Sequence, residues 1–162
     1  QYTDCPLYWI SVIYLNFAEA KAEMGSLTQD DLNNSINKLQ ARAGLPAMTT
    51  TPDADPANNM GVSNLIWEIR RCRRCELIMD NWYRYWDLIR WHQLDKLDST
   101  KYPNTMLGAN VSNVPDCEEA TKNGYIDASD AQIRTYEAKH YFYPIPTTQL
   151  TLNKNMKQNP GW

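Results

Sequence analysis

Helical periodicity that is repeatedly cut short is the feature that most constrains this chain. Ile10, Ile13, Tyr14, Phe17 and Ala18 recur at the i, i+3, i+4, i+7, i+8 spacing of one helix face, which predicts a helix over 6–24. Pro6 suits its first turn and Gly25 its stop. Thr28 and Asp31 form a short-armed capping box. Leu32, Ile36, Leu39 and Ala43 then mark a second helix, which Gly44-Leu45-Pro46 ends. Two helices joined by so short a loop pack as an antiparallel hairpin, the unit of helical-repeat scaffolds. Further periodicity predicts a helix over 65–80, capped by Ser63 or Asn64, and another over 82–94, separate or continuous with it. Between these pieces, 45–62 and 98–135 are rich in Pro, Gly, Asn and Asp and read as loops. Irregular stretches that long are uncommon unless functional or packed on a scaffold. Residues 136–162 read as extended, with short strand or turn pieces around Tyr141–Ile145. The expected fold is mainly α: a helical hairpin, further helices, long irregular loops and an extended C-terminal strap, in one domain over 1–162.

With 162 residues, 43% of them hydrophobic, the chain can bury a real core. A net charge of -3 gives no reason to expect nucleic acid or an anionic membrane as partner. No apolar run approaches the roughly 18–20 residues of a membrane-spanning helix, and no signal peptide is visible. A start at Gln1, without Met, reads as a mature protein or an excised domain. Six Trp and ten Tyr stand against two Phe. Those two residue types pair an apolar face with a polar edge, as a sugar-binding surface requires, although most large aromatics fill cores.

Four cysteines, Cys5, Cys72, Cys75 and Cys117, allow three possible pairings. Cys72 and Cys75 make a C-x-x-C inside an Arg-rich helical pattern, where a redox motif wants a preceding strand. His92 and His140 show no metal spacing, so no metal or other cofactor is expected.

The stretch "IWEIRRCRRCELIMDNWYRYWDLIRW" looks basic, but from Asn64 to Asp95 six arginines face five acids. Glu76 lies three residues after Arg73, and Asp87 three after Arg84, spacings that bring opposite charges onto one helix face. Arg73, Glu76, Arg84 and Asp87 are therefore expected to form a structural ion network among Trp82, Tyr83, Tyr85, Trp86 and Trp91. Glu68, Glu76 and Asp80 sit on one helix, whereas a glycosidase pair must flank a bond, and nearby arginines would hold them ionised. No catalytic residue is expected.

Several stretches resemble the SusD/RagB family, glycan-binding lipoproteins of Bacteroidetes outer membranes, in its C-terminal part. "PLYWISVIYLNFAEAKAEMG" is similar at Asn16, Ala18, Glu19, Ala20, Lys21, Glu23 and Gly25, and "INKLQARAGLP" at Asn37, Arg42, Ala43 and Gly44. "RRCELIMDNWYRYWDLIRW" is similar at Arg73, Arg74, Glu76, Asn81, Arg84, Asp87, Arg90 and Trp91. The closing segment is similar at Pro144, Ile145, Pro146, Leu150, Asn153 and the run Gln158–Gly161. These pieces are collinear and span nearly the whole chain. Charged positions of the family pattern are Trp9, Val12 and Cys72 here, expected to replace an ion network by packing.

The resemblance implies a SusD-like, tetratricopeptide-related fold with no enzymatic activity. It implies surface binding of glycan or oligosaccharide nutrients and their delivery to a SusC-like TonB-dependent outer-membrane transporter. It further implies an outer-membrane, cell-surface location through an N-terminal lipid anchor that this chain lacks, as the C-terminal portion of a longer protein. The alternative is a scaffold region that contacts the transporter or the missing N-terminal half. If sugar contacts lie here, 45–62 and 98–135 are the candidate loops, with Tyr102 and Tyr125 as the candidate glycan-binding residues.

Overall fold

The computed structural model describes residues 8–79, 83–115, 121–129 and 132–162, and the chain divides into two compact units, 1–84 and 85–162. The expectations placed on Cys5, Pro6, Asp80, Asn81, Trp82 and Cys117 fall outside the described residues. The fold is mainly helical with one small sheet.

In the first unit, α1 (Ile10–Glu23) packs against α3 (Ile36–Arg42) and α4 (Asn64–Glu76), with α2 (Gln29–Asn33) leading into α3. Leu15, Ala18, Leu32, Ile36, Leu39, Met48, Ile69 and Leu77 form the core. The buried face of α1 is not the one its periodicity suggested. Ile10, Ile13 and Phe17 are 61%, 58% and 42% exposed, while Ser11, Leu15, Ala18 and Glu19 are buried. α1 is apolar on nearly every side, so spacing alone does not choose a face. Small Ser11 and Ala18 are buried on that face, and Glu19 meets Arg70 of α4 at 3.4 Å.

The second expected helix is two. The Thr28 capping box forms as read, with the Thr28 hydroxyl accepting from the Asp31 amide and the Asp31 carboxylate accepting from the Thr28 amide. α2 then stops at Asn33, and Ser35 leaves the helical conformation. The cause is local: Asn34 Nδ2 donates to the Asp30 carbonyl at 3.0 Å and Ser35 Oγ to the Asp31 carbonyl at 2.6 Å. Such side chains offer the backbone an alternative to the helical ladder. Leu32, Ile36 and Leu39 nonetheless all reach the core.

The 45–62 loop is tied down near its start, at Met48, and at its middle, at Asp55. Asn37 of α3 accepts from the Met48 amide at 2.7 Å and donates to its carbonyl at 3.1 Å, seating Met48 in the core. Trp67 Nε1 donates to Asp55 at 3.1 Å. Ser63 caps α4 by accepting from the Ile66 amide. α4 ends at Glu76, short of the expected 80, and Met79 adopts a φ of 62°, so it is not continuous with α5 (Tyr83–Arg90).

Beyond α5, the expected loop over 98–135 holds a three-stranded antiparallel sheet: β1 (Leu107–Asn110), β2 (Thr121–Lys122) and β3 (Tyr125–Asp127), in the order β1-β3-β2. One-turn 3-10 segments occupy Leu94–Leu97, Pro103–Met106 and Ala138–Tyr141. The tail departs from an extended strap by that last segment and by α6 (Thr147–Leu152). It is held by side chain to backbone bonds. Tyr141 Oη accepts from the Leu94 amide at 3.0 Å. Gln158 both accepts from the Ile145 amide and donates to its carbonyl, and Asn159 donates to the Tyr143 carbonyl. Trp162 Nε1 reaches the Lys139 and Phe142 carbonyls at 3.1 and 2.9 Å. Gly161 makes that final turn at a φ of +87°, and a Cβ there would lie 2.9 Å from Lys139 Cβ. Gly161→Ala is therefore expected to cost at least about 1 kcal/mol from the left-handed backbone alone. It should also release Trp162, read as a red shift of its fluorescence. An unchanged spectrum and unfolding midpoint would contradict this.

Candidate functional site

The site is built on the β2–β3 hairpin. Asn123 and Gly124 form its two-residue turn at φ of 54° and 78°, the paired positive angles that Asn-Gly supplies in a type I′ turn. This hairpin positions Tyr125. Side chains alternate across a strand, so Tyr125 and Asp127 share one side of β3 and Ile126 takes the other. β1 runs alongside with Leu107 opposite Asp127 and Asn110 opposite Tyr125. Gly108 allows that approach, because a Cβ there would meet the Ile126 carbonyl oxygen at 3.3 Å.

Two hollows flank this pair of strands. One, of about 370 Å³, is lined by Asn104, Leu107, Gly108, Asn123 and Tyr125. Neither amide side chain makes a hydrogen bond among the described residues, so both have donors and acceptors for a ligand. The Tyr125 ring is 38% exposed beside them. The other hollow, of about 230 Å³, lies next to Leu107 and adds Ser99, Thr100, Met106, Asp127 and Gln132. Together they fall in the roughly 300–1,000 Å³ range of small-molecule sites.

The second hollow is braced by carboxylates. Asp98, buried, accepts from the Thr100 hydroxyl and amide and from the Tyr136 amide. The Thr100 hydroxyl, then the Tyr136 amide, pull its pKa down to about 2. A depressed carboxylate stabilises the folded chain above its ordinary pKa near 3.8, and that contribution is lost as pH falls through about 2. Asp127 Oδ1 accepts from the Ser129 amide at 3.0 Å and its hydroxyl at 2.6 Å, which fixes the carboxylate in the lining.

Of the two candidate tyrosines, the structure brings Tyr125 into a hollow and Tyr102 into neither. The Tyr102 ring instead has the Lys96 ammonium 5.4 Å above it. Asn104, Asn123, Asp127 and Gln132 were not singled out from sequence. The Asn123-Gly124 dipeptide, a hairpin-turn pair, was the available signal.

The expected ion network is visible in part among the described residues. Glu76 accepts two bonds from Arg42 of α3, at 2.6 and 2.7 Å, a partner its spacing within α4 does not suggest. Arg73 is buried, donates to Asn16 at 2.8 Å and lies 5.9 Å from the Tyr83 ring centre. Asp87 accepts from Arg90 at 2.9 Å, and Arg84 has its own interaction. An i,i+3 spacing permits a pair, but a neighbouring helix can offer better geometry. Tyr85 and Tyr143 share a hydroxyl hydrogen bond, which with burial raises the Tyr85 pKa to about 12. Cys72 and Cys75 are free thiols, and burial, reinforced by Glu76, pushes Cys72 up to about 11, far from a nucleophilic thiolate at neutral pH. Val12 and Cys72 pack against the core as expected for lost charges, but Trp9 does not and is exposed. Among the described residues no group of three or more His, Cys, Asp or Glu side chains is arranged to hold a metal ion.

No curated protein matches the chain by sequence. The crystal structure of a SusD-like protein from Bacteroides fragilis matches with a TM-score of 0.63 at 25% identity, over 94% of this chain and 25% of that one. The chain thus spans a quarter of the length of that relative. The SusD family model matches residues 2–162, essentially every residue described above, and on that match the chain belongs to the SusD family.

Proposed function

We propose that this chain contributes to the capture of glycan nutrients at the surface of the outer membrane. The observation that carries the reading is the exposed Tyr125 ring beside the unengaged Asn104 and Asn123 amides. A sugar ring lays its C–H face on the tyrosine while its hydroxyls pair with the amides, and no bond is made or broken. Family membership supports the class of ligand. In this reading the bound oligosaccharide passes to a SusC-like TonB-dependent transporter, and a lipid anchor on a longer protein holds the assembly to the outer membrane. No helix among the described residues is long and apolar enough to cross a membrane.

Tyr125→Ala is expected to weaken oligosaccharide binding about 30-fold, roughly 2 kcal/mol, the loss typical of a central aromatic contact. Tyr125→Phe, which keeps the ring, should retain most of it. Calorimetry on array-selected glycans measures both. Equal affinities for wild type and the alanine variant would remove Tyr125 from the site.

A second reading is favoured by a different observation. Ile10, Ile13 and Phe17 lie exposed along α1 in the first unit. As a scaffold, the chain would use that face to contact the transporter or the remainder of a longer protein, with ligand bound elsewhere.

A further inference from the structure

We infer that a β-bulge at Gly108–Ala109 is the specificity element of the Tyr125 hollow, and that through it the hollow tells apart sugars differing only in the direction of a ring hydroxyl. The inference rests on the glycan reading of Tyr125 and adds to it what selects among glycans. Leu107 stands opposite Asp127 and Asn110 opposite Tyr125, so Gly108 and Ala109 on β1 are matched by Ile126 alone on β3. That is the two-against-one count of a bulge. β1 is an edge strand in the order β1-β3-β2, and Gly108 lines the hollow with its main chain. A bulge bends its strand and re-aims what the strand carries. Here the strand carries the 3-10 turn Pro103–Met106, which runs directly into Leu107 and holds Asn104.

Two anchors bracket the bulge. The Thr105 hydroxyl donates to the Lys96 carbonyl at 3.0 Å and seats the 3-10 turn. The Val111 amide donates to the Gly124 carbonyl at 2.8 Å and seats the other end of β1 beside the hairpin turn. The extra residue takes up one strand step between them, roughly 3.3 Å. It thereby sets where the Asn104 amide stands relative to Asn123 and Tyr125, which line the same hollow. The work divides between ring and amides. A tyrosine ring accepts the C–H face of many sugars, whereas an amide held in one place bonds a hydroxyl only where that hydroxyl points at it. A hydroxyl turned elsewhere forfeits about one hydrogen bond, roughly tenfold in affinity.

The test is nuclear magnetic resonance titration of the whole chain with cellobiose, lactose and β-1,4-mannobiose, disaccharides that differ from one another only in hydroxyl direction. Wild type is expected to bind one of the three at least about tenfold tighter than another. Deletion of Ala109 leaves Leu107 able to pair with Asp127 and Asn110 with Tyr125 in a regular ladder, but draws Asn104 out of place. That variant should bind all three to within about threefold of one another while circular dichroism shows it folded. A glycine in place of the deleted residue restores the bulge and should restore the preference. Asn104→Ala, at an exposed position outside the sheet, should flatten the preference in the same way, and it decides the matter if the deletion variant does not fold. Tyr125→Ala should weaken all three alike. Equal binding of the three by wild type, or a preference that survives deletion of Ala109 or Asn104→Ala, overturns the bulge as the selective element. Either result, with binding still lost in Tyr125→Ala, leaves the glycan reading standing. Absence of binding of all three to wild type overturns both.

Discussion

Arg70→Ala is expected to destabilise the first unit by about 3–5 kcal/mol, the range for removing one partner of a buried ion pair. Arg70 Nε stands 3.4 Å from Glu19 Oε1, an ionic contact longer than a good hydrogen bond, while its Nη2 donates to Glu23 at 2.9 Å. The Glu19 side chain is only 5% exposed, so deleting the guanidinium leaves a carboxylate that water reaches poorly. The double variant Arg70→Met, Glu19→Leu should recover most of the loss, because a well-packed apolar replacement of a buried pair is often neutral or better. Urea unfolding followed by circular dichroism reads both. A loss under about 1 kcal/mol in the single variant would show that the contact works as an exposed pair does.

Ile36→Ala should cost about 2–5 kcal/mol, with Ile36→Val nearer 1. Ile36 is fully buried in the core beside Leu15, Leu32 and Ile69, at the start of α3. Its position there depends on the break at Ser35, so it also tests whether α2 and α3 act as separate pieces bound by one core. Rigid surroundings leave a cavity and a cost near the top of the range. A cost near the bottom would mean that the short α2 shifts to fill it. A cost below about 1 kcal/mol would contradict the assignment of Ile36 to the core.

How far the chain could be read in advance differs from element to element. The Thr28 capping box, the Ser63 cap and the Gly25 and Gly44 stops are local chemistry, and each appears where the residues place it. The break at Asn33–Ser35 was equally local but hidden, because Leu32, Ile36 and Leu39 keep helical spacing through it. The sheet was missed for another reason. Its strands are two to four residues long and carry little alternation, and their pairing joins Leu107 to Asp127 across a separation no periodicity records.

The same division runs through the site. Tyr125 was a candidate as a loop aromatic, and so was Tyr102 on equal grounds. The structure separates them, because a type I′ turn presents one ring to a hollow while Lys96 covers the other. By itself the sequence determined what adjacent residues decide: helix starts, stops, turn chemistry and a family-wide set of motifs. Only the tertiary structure decided which face of α1 is buried, that Glu76 takes Arg42, and that Asn104, Asn123, Asp127 and Gln132 meet around β1 and β3. Those outcomes are choices among contacts of similar local merit, and they are settled by which partner helix or strand arrives with the better fit.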